Sequence, residues 1–143
     1  MYVKGATASA SRALAIAGIL CGWCVQSPTA AAAFELSGAW ASDAELCKLV
    51  FAKKGDKVGF AELSDLYGSG FVVDGKQIRG KSAQCTIQSQ QQQGDDLELA
   101  AACASTIMKQ DVRFKLKVVD DNNLIRFFPE IEGMTLRYAR CRL

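Results

Sequence analysis

Ser69 is the side chain best placed by the sequence to act as a nucleophile, because it stands between Gly68 and Gly70. The chain contains no histidine, so a Ser-His-Asp triad would lack its base, and the flanking pattern differs from the G-x-S-x-G turn of esterases. A pair of Ser69 with Lys76 or Lys81 is the catalytic alternative that stays open. We expect a non-enzymatic protein, in which the two glycines let the chain bend.

The acidic pairs of the chain fall where turns are predicted. Asp95-Asp96 and Asp120-Asp121 are neighbours in sequence, whereas a glycosidase needs two carboxylates that face each other across a cleft. The segment that follows the second pair also lacks the spaced ligands and the glycine of an EF-hand loop. A hydrolase that uses carboxylates remains part of the enzymatic alternative. We expect no metal and no cofactor.

Four cysteines lie in the body of the chain, namely Cys47, Cys85, Cys103 and Cys141. Structural zinc sites usually contain close C-x₂₋₄-C pairs, and the long spacings here favour disulfides instead. Sequence alone permits three pairings of four cysteines. Cys85 and Cys103 are equidistant from Gly94, and a hairpin that turns near this glycine would set them opposite each other. We therefore predict the disulfides Cys85–Cys103 and Cys47–Cys141.

The first 33 residues have the features of an export signal. Lys4 and Arg12 precede an apolar run over residues 13–25, and small residues close the segment. This order is typical of a secretory signal, and the run is shorter than the ~20 residues that a spanning helix needs. We predict a signal peptide at 1–33 and a single domain at 34–143. The mature protein would have no membrane anchor and would be periplasmic or secreted, where disulfides persist.

The charge of the body argues against one class of partner. The chain has 17 Lys and Arg and 15 Asp and Glu, and the leader contains two of the basic residues and none of the acidic ones. The body is therefore balanced, with basic and acidic residues interspersed. Because a nucleic-acid binder needs a concentrated basic surface, we expect no nucleic-acid partner.

Alternation of apolar and polar residues dominates the body and predicts β-strands. Residues 112–118 alternate strictly, as in a strand with one face in water. Asp74-Gly75 is the strongest hairpin signal, because this dipeptide suits the positive φ angles of a type I′ turn. The serine-to-glutamate spacing over 42–45 indicates a capping box and one short helical turn. We predict an all-β fold, a small antiparallel up-and-down barrel of about eight strands.

The segment Leu36-Ser-Gly-Ala-Trp40 stands at the start of the body. It resembles the G-x-W opening of lipocalin-like barrels and of small periplasmic inhibitor barrels. The resemblance implies that Trp40 closes one barrel end and that an arginine of the last strand packs over its ring, a favourable cation–π contact. Arg137 and Arg140 are the candidates for that arginine, and Arg137 is favoured.

Aromatic residues near predicted loops supply a candidate binding surface. Tyr67 and Phe71 flank Ser69, and Arg126 begins the segment Arg126-Phe-Phe-Pro-Glu130. Exposed aromatic residues on loops are frequent interface anchors, so Tyr67, Ser69, Phe71 and Arg126 are the predicted contacts. We expect the protein to bind a protein partner in an inhibitor-like manner through barrel-end loops. The alternative function is a carrier of a small apolar ligand in the barrel.

Overall fold

The computed structural model describes residues 33–143, and residues 1–32 of the predicted signal peptide lie outside the described part. Within the described residues, no helix has the length and hydropathy to cross a membrane. In chain order the regular elements are β1 (Gly38–Ala41), α1 (Cys47–Val50), β2 (Phe51–Lys54), β3 (Lys57–Phe60), a 3-10 turn (Ser64–Leu66), β4 (Gly70–Asp74), β5 (Gln77–Arg79), β6 (Ala83–Gln93), β7 (Asp96–Ser105), β8 (Lys109–Asp120), β9 (Asn123–Phe127) and β10 (Thr135–Cys141).

Eight of these strands form a closed antiparallel barrel in the order β1-β10-β9-β8-β7-β6-β5-β4. From β4 to β10 each strand pairs with the next along the chain, and β1 closes the barrel by pairing with both β10 and β4. The remaining strands, β2 and β3, form a separate hairpin. The predicted all-β, up-and-down barrel of about eight strands, with one short helical turn near its start, is therefore confirmed.

The inward faces of the strands form the main core, as the alternating pattern predicts. Leu116 of β8 stands opposite Leu97 of β7, and Phe114 stands opposite Leu99. Full burial of a large apolar side chain contributes roughly 1.5–3 kcal/mol, so these layers hold the barrel together. The buried members of this core are Leu36, Trp40, Val73, Ile78, Cys85, Ile87, Leu97, Leu99, Ala101, Cys103, Leu116, Leu124 and Tyr138.

A second, smaller core lies outside the barrel, where α1 and the β2–β3 hairpin cover β1 and β4. Ala41 and Val72 point outward from the barrel and pack with Phe51. Gly70 makes this approach possible, since a Cβ at this position would lie 2.7 Å from Phe51 Cζ and 2.8 Å from the Trp40 carbonyl oxygen. Packing against the hairpin, rather than freedom to bend, therefore explains the glycine at this position.

Both predicted disulfides are present. Cys85 and Cys103 are directly opposite each other on β6 and β7, with Cα atoms 3.9 Å apart, in a hairpin that turns at Gly94. Cys47 and Cys141 join the start of α1 to the end of β10 across 94 residues of sequence. The first bridge lies inside the barrel, and the second fastens the outer layer to the last strand.

Arg140, and not Arg137, packs over Trp40. Trp40 is the direct partner of Arg140 in the β1–β10 register, and the Arg140 guanidinium carbon lies 4.3 Å from the centre of the Trp40 ring. Arg137 lies three positions before Arg140 on the same strand. Because side chains alternate between the two faces of a strand, Arg137 points outward, and it is exposed. The prediction of Arg137 is wrong because it did not take the parity of the last strand into account.

The predicted capping box at residues 42–45 is also wrong. The helix α1 begins at Cys47 without a side-chain cap. The Ser42 hydroxyl instead accepts a hydrogen bond of 3.1 Å from the Ser69 amide. Ser42 directly follows β1 and Ser69 directly precedes β4, so the pairing of these two strands brings the two residues together.

Candidate functional site: an apolar cavity with one arginine

The two ends of the barrel differ in how they are filled. We call the end at which β4, β6, β8 and β10 begin the open end, and the opposite end the closed end. Because neighbouring strands are antiparallel, the β3–β4, β5–β6, β7–β8 and β9–β10 connections all lie at the open end. The segment before β1 and the β4–β5, β6–β7 and β8–β9 turns lie at the closed end.

Arg140 lies at the closed end, and each of its three guanidinium nitrogens donates a hydrogen bond to the backbone. Its Nε donates to the Asp121 carbonyl oxygen at 2.9 Å, and its terminal nitrogens donate to the carbonyl oxygens of Ser37 and Glu35. Hydrogen bonds from Ser37 hold the pKa of the Glu35 carboxyl below its ordinary value, and the positive charge of Arg140 adds to this effect. The Trp40 ring beneath it is fully buried, so the two side chains fill the barrel interior at this end.

A cavity of about 290 Å³ lies inside the barrel towards the open end. Gln110 lines it and is itself exposed, so the cavity reaches solvent there. Its volume is at the lower end of the range for small-molecule sites, about 300–1,000 Å³. The wall is mostly apolar and comprises Leu36, Gly70, Phe71, Ile78, Gly80, Ala83, Cys85, Leu99, Cys103, Gln110, Val112, Phe114, Leu116, Arg126 and Tyr138.

Arg126 is the only charged side chain among the described residues that line this cavity. It stands between Leu116 of β8 and Leu136 of β10 in the strand register, so it points into the barrel. Its guanidinium carbon lies 4.7 Å from the centre of the Phe114 ring and 4.4 Å from that of Phe128. Its Nε is buried and has no hydrogen-bond partner among residues 33–143.

The ion pairs of the described chain do not include Arg126. Lys81 pairs with Asp65 at 3.0 Å and Arg113 pairs with Glu98 at 3.4 Å, both on the surface. A partly buried cation without an anion is unfavourable, and contact with two aromatic rings offsets part of that cost. The cavity therefore presents an apolar wall and one positive charge that no carboxylate of the described residues neutralises.

The structure gives no support to a Ser–Lys pair at Ser69. Ser69 and Lys81 line the same surface depression, but the Lys81 ammonium donates to Ser64 Oγ at 2.8 Å and to Asp65 Oδ1 at 3.0 Å. The hydrogen bond from Lys81 to Asp65 lowers the pKa of the Asp65 carboxyl. Ser64 is only 1% exposed, so its hydroxyl is closed to a substrate. Lys76 lies at the closed end, away from Ser69.

The four predicted contact residues all lie at the open end, but in two different places. Phe71 and Arg126 line the cavity. Tyr67, which is 39% exposed, and Ser69 lie outside the cavity in the connection before β4. Within residues 33–143, no group of three or more Cys, Asp or Glu has the arrangement of a metal site.

Sequence reasoning missed the residues that surround Arg126. Phe114 is recognisable as inward-facing from the alternation in residues 112–118, but nothing in the sequence brings it to Arg126 across the β8–β9 pair. Phe128 follows β9 and folds back over the same guanidinium. A basic residue at an inward position of an apolar strand, as at Arg126, is the one signal that could have indicated this site.

Exposed apolar side chains concentrate at the open end. The described chain has eleven exposed large hydrophobic residues, and seven of them lie in the connections at this end. We call these seven residues the rim: Leu63, Leu66, Tyr67, Ile107, Met108, Ile131 and Met134. The closed end shows no comparable concentration among residues 33–143.

Comparisons with known proteins provide no relative from which to transfer a function. No family model, no curated protein and no solved structure matches the chain. The likeness of residues 36–40 to lipocalin-like and inhibitor barrels therefore stays a prediction. The function has to be inferred from the geometry of the cavity and the rim.

Proposed function

We propose that this protein is an exported, non-enzymatic binding protein that carries a small, largely apolar ligand inside its barrel. The observation that supports this function is the cavity of about 290 Å³ with an apolar wall and access to solvent at the open end. A fully packed interior would have argued against it. The cavity moves the carrier function ahead of the protein-binding function that the sequence favours.

The physical basis is the transfer of apolar ligand surface out of water. Each 100 Å² of apolar area removed from water contributes about 2.5 kcal/mol, and the ordering of the ligand offsets part of that gain. The closed end, filled by Trp40 and Arg140, leaves the open end as the route of entry. The two disulfides support a periplasmic or secreted location, because such bridges persist in oxidising compartments.

A neutral dye tests the carrier function. The full chain is expressed with its leader in a bacterial host, and the exported protein is titrated with N-phenyl-1-naphthylamine, which fluoresces in apolar surroundings. Val112 lines the cavity, so Val112→Phe fills it. The matched control is Val119→Phe on the same strand, where the side chain is 52% exposed.

We expect the wild type and Val119→Phe to bind the dye, and Val112→Phe to bind it at least about tenfold more weakly, because a filled pocket has no room for it. Circular dichroism confirms that both variants are folded. Equal binding by wild type and folded Val112→Phe would place the dye elsewhere and contradict the proposal, as would an absence of binding to the wild type.

We propose protein binding through the open end as the second candidate function, in an inhibitor-like manner. The observation that favours it is the rim, because exposed apolar side chains concentrated at one end of a molecule are typical of interaction sites. Leu66 and Ile107 are 70% and 87% exposed, so their replacement would weaken binding while leaving the core intact.

The matched experiment uses the protein as bait and compares the proteins that it captures from the exported fraction of the source organism. The bait carries either Leu66→Ser with Ile107→Ser, or the control Val119→Ser. A specific partner is captured by wild type and control and is lost with the rim variant. If the same proteins are captured by all three baits, the rim is not their binding site and this second candidate is rejected.

A further inference from the structure

We propose that the ligand of the cavity is a small amphiphile with one carboxylate, and that the Arg126 guanidinium binds this carboxylate. This inference rests on the carrier function and specifies the chemistry of the same site. It assigns Arg126 as the headgroup site and the apolar wall as the site for the rest of the molecule.

The contrast between the two inward-facing arginines carries the inference. Arg140 and Arg126 both lie over aromatic rings, and both point into the barrel. Each of the three guanidinium nitrogens of Arg140 donates to a backbone carbonyl oxygen. Arg126 has a buried Nε with no partner among residues 33–143. The fold thus supplies backbone acceptors for Arg140 at the closed end. It supplies none, among the described residues, for the Nε of Arg126, which faces the cavity.

The composition of the wall defines the charge of the ligand. Among the described residues that line this cavity, Arg126 is the only positively charged side chain that an anion could pair with, and Gln110 supplies an uncharged amide. One guanidinium balances one negative charge, and its planar donors match the two oxygens of a carboxylate. A molecule with two or more charges would leave charge unpaired in an apolar space, which is unfavourable.

The aromatic rings around Arg126 hold its guanidinium in position before a ligand binds. The centres of the Phe114 and Phe128 rings lie 4.7 and 4.4 Å from the guanidinium carbon of Arg126. The two rings restrict the orientation of the guanidinium. A cation that is already positioned loses little side-chain freedom when it binds an anion, so more of the interaction energy is left for affinity. The same rings extend the apolar surface next to the headgroup site.

A matched pair of ligands tests the headgroup. Octanoate and octan-1-ol share an alkyl chain and differ in charge, and each displaces N-phenyl-1-naphthylamine from the exported protein. Hydrogen bonds to a charged group contribute about 1.5–3 kcal/mol. We therefore expect octanoate to displace the dye at about 10- to 100-fold lower concentration than octan-1-ol near neutral pH.

Two variants locate the effect at Arg126. Arg126→Met removes the charge from the cavity and keeps an unbranched side chain. Arg137→Met removes a charge from the outer face of the adjacent strand, where the side chain is exposed. We expect Arg126→Met to lose the preference for octanoate while it still binds octan-1-ol. Arg137→Met should keep the wild-type preference.

The outcomes separate this inference from the carrier function. If the dye and octan-1-ol bind but octanoate has no advantage, or if folded Arg126→Met keeps the advantage, Arg126 is not the headgroup site and the carrier function stands. If neither ligand nor the dye binds, the carrier function itself fails.

A pH series on the wild type keeps the inference testable even if Arg126→Met does not fold. A free alkanoic acid takes up its proton at roughly pH 4–5, and octanoate then loses the charge that distinguishes it from octan-1-ol. The preference for octanoate should therefore disappear as the pH falls through that range, with octan-1-ol binding as the control. A preference that persists after protonation of octanoate would overturn the role of Arg126.

Discussion

Two arginines on neighbouring strands serve different purposes because their surroundings differ. Arg140 lies over Trp40 and finds backbone acceptors at the closed end. Arg126 lies over Phe114 and Phe128 and faces a cavity. The residue type alone predicts neither role. Strand parity turns both side chains inward. The available acceptors then decide which arginine is hydrogen-bonded to the backbone and which keeps an unpaired Nε among the described residues.

Removal of Arg140 is expected to destabilise the protein. Arg140→Leu removes hydrogen bonds from a charged group to backbone carbonyls and the contact with Trp40, and we expect a loss of about 2–3 kcal/mol in the free energy of unfolding. Urea denaturation measures this loss. Arg137→Leu, on the exposed face of the same strand, is the control and should stay within about 0.5 kcal/mol of wild type.

Removal of Arg126, in contrast to removal of Arg140, is not expected to lower the free energy of unfolding. Arg126→Met removes a cation that the described protein does not neutralise, so the free energy of unfolding should be unchanged or higher by about 1 kcal/mol, a common relation at functional sites. The same urea titration measures it. A loss of 2 kcal/mol or more would show that Arg126 is there mainly to hold the rings of Phe114 and Phe128.

The Lys81–Asp65 pair predicts a pH dependence of stability. The hydrogen bond from Lys81 lowers the folded-state pKa of Asp65 below its ordinary value of 3.8. The carboxylate therefore adds stability above that ordinary value, and the contribution is lost as the pH falls through the folded-state pKa. Urea titrations at about pH 6 and about pH 3 should show the difference between wild type and Asp65→Asn shrink in acid. A constant difference would contradict this assignment.

At the scale of elements, the sequence predicts the features that depend on neighbouring residues alone, such as the buried face of a strand or the position of a hairpin. The alternation in residues 112–118 marks the inward face of β8, and the hairpin predicted at Asp74-Gly75 is present. Its turn is Gly75-Lys76, however, and only Gly75 has a positive φ (+55°), so the predicted type I′ turn is wrong. The predicted pairing of Cys85 with Cys103 is present, but it does not come from symmetry about Gly94 alone. The turn is Gly94-Asp95, and a β-bulge between Ile87 and Ser89 shifts the register of β6 by one residue, which sets Cys85 opposite Cys103. The choice of Arg137 over Arg140 failed because parity becomes certain only when the register of β10 against β1 is known.

The two disulfides should differ in their contribution to stability. In the loop-entropy account a bridge contributes more when it closes a longer loop, about 3 kcal/mol for 15 residues and about 4.7 for 100. The Cys47–Cys141 bridge spans 94 residues and the Cys85–Cys103 bridge spans 18. We expect Cys47→Ala with Cys141→Ala to lower the free energy of unfolding by ~1–2 kcal/mol more than Cys85→Ala with Cys103→Ala. Equal losses in urea titrations would contradict this order.

At the scale of the whole molecule, the sequence predicts a barrel but not its cavity. A cavity is the difference between the space that eight strands enclose and the volume of the side chains inside it, and no local pattern reports that difference. Large inward residues such as Leu97, Leu124 and Trp40 fill the closed half, whereas the open half is left with about 290 Å³. The position of Arg126 within that space depends on the register of three strands.

Chemical-shift mapping with octanoate tests the central claim, that the open half of the barrel is a ligand site, most directly. Amide resonances of ¹⁵N-labelled protein are followed during a titration. We predict saturable shifts at Val112, Phe114 and Arg126, which line the cavity, with the Gly94 amide in the β6–β7 turn at the closed end little changed. Shifts confined to the outer hairpin or the closed end, or no saturable shifts, would contradict the claim that the barrel binds its ligand within this cavity.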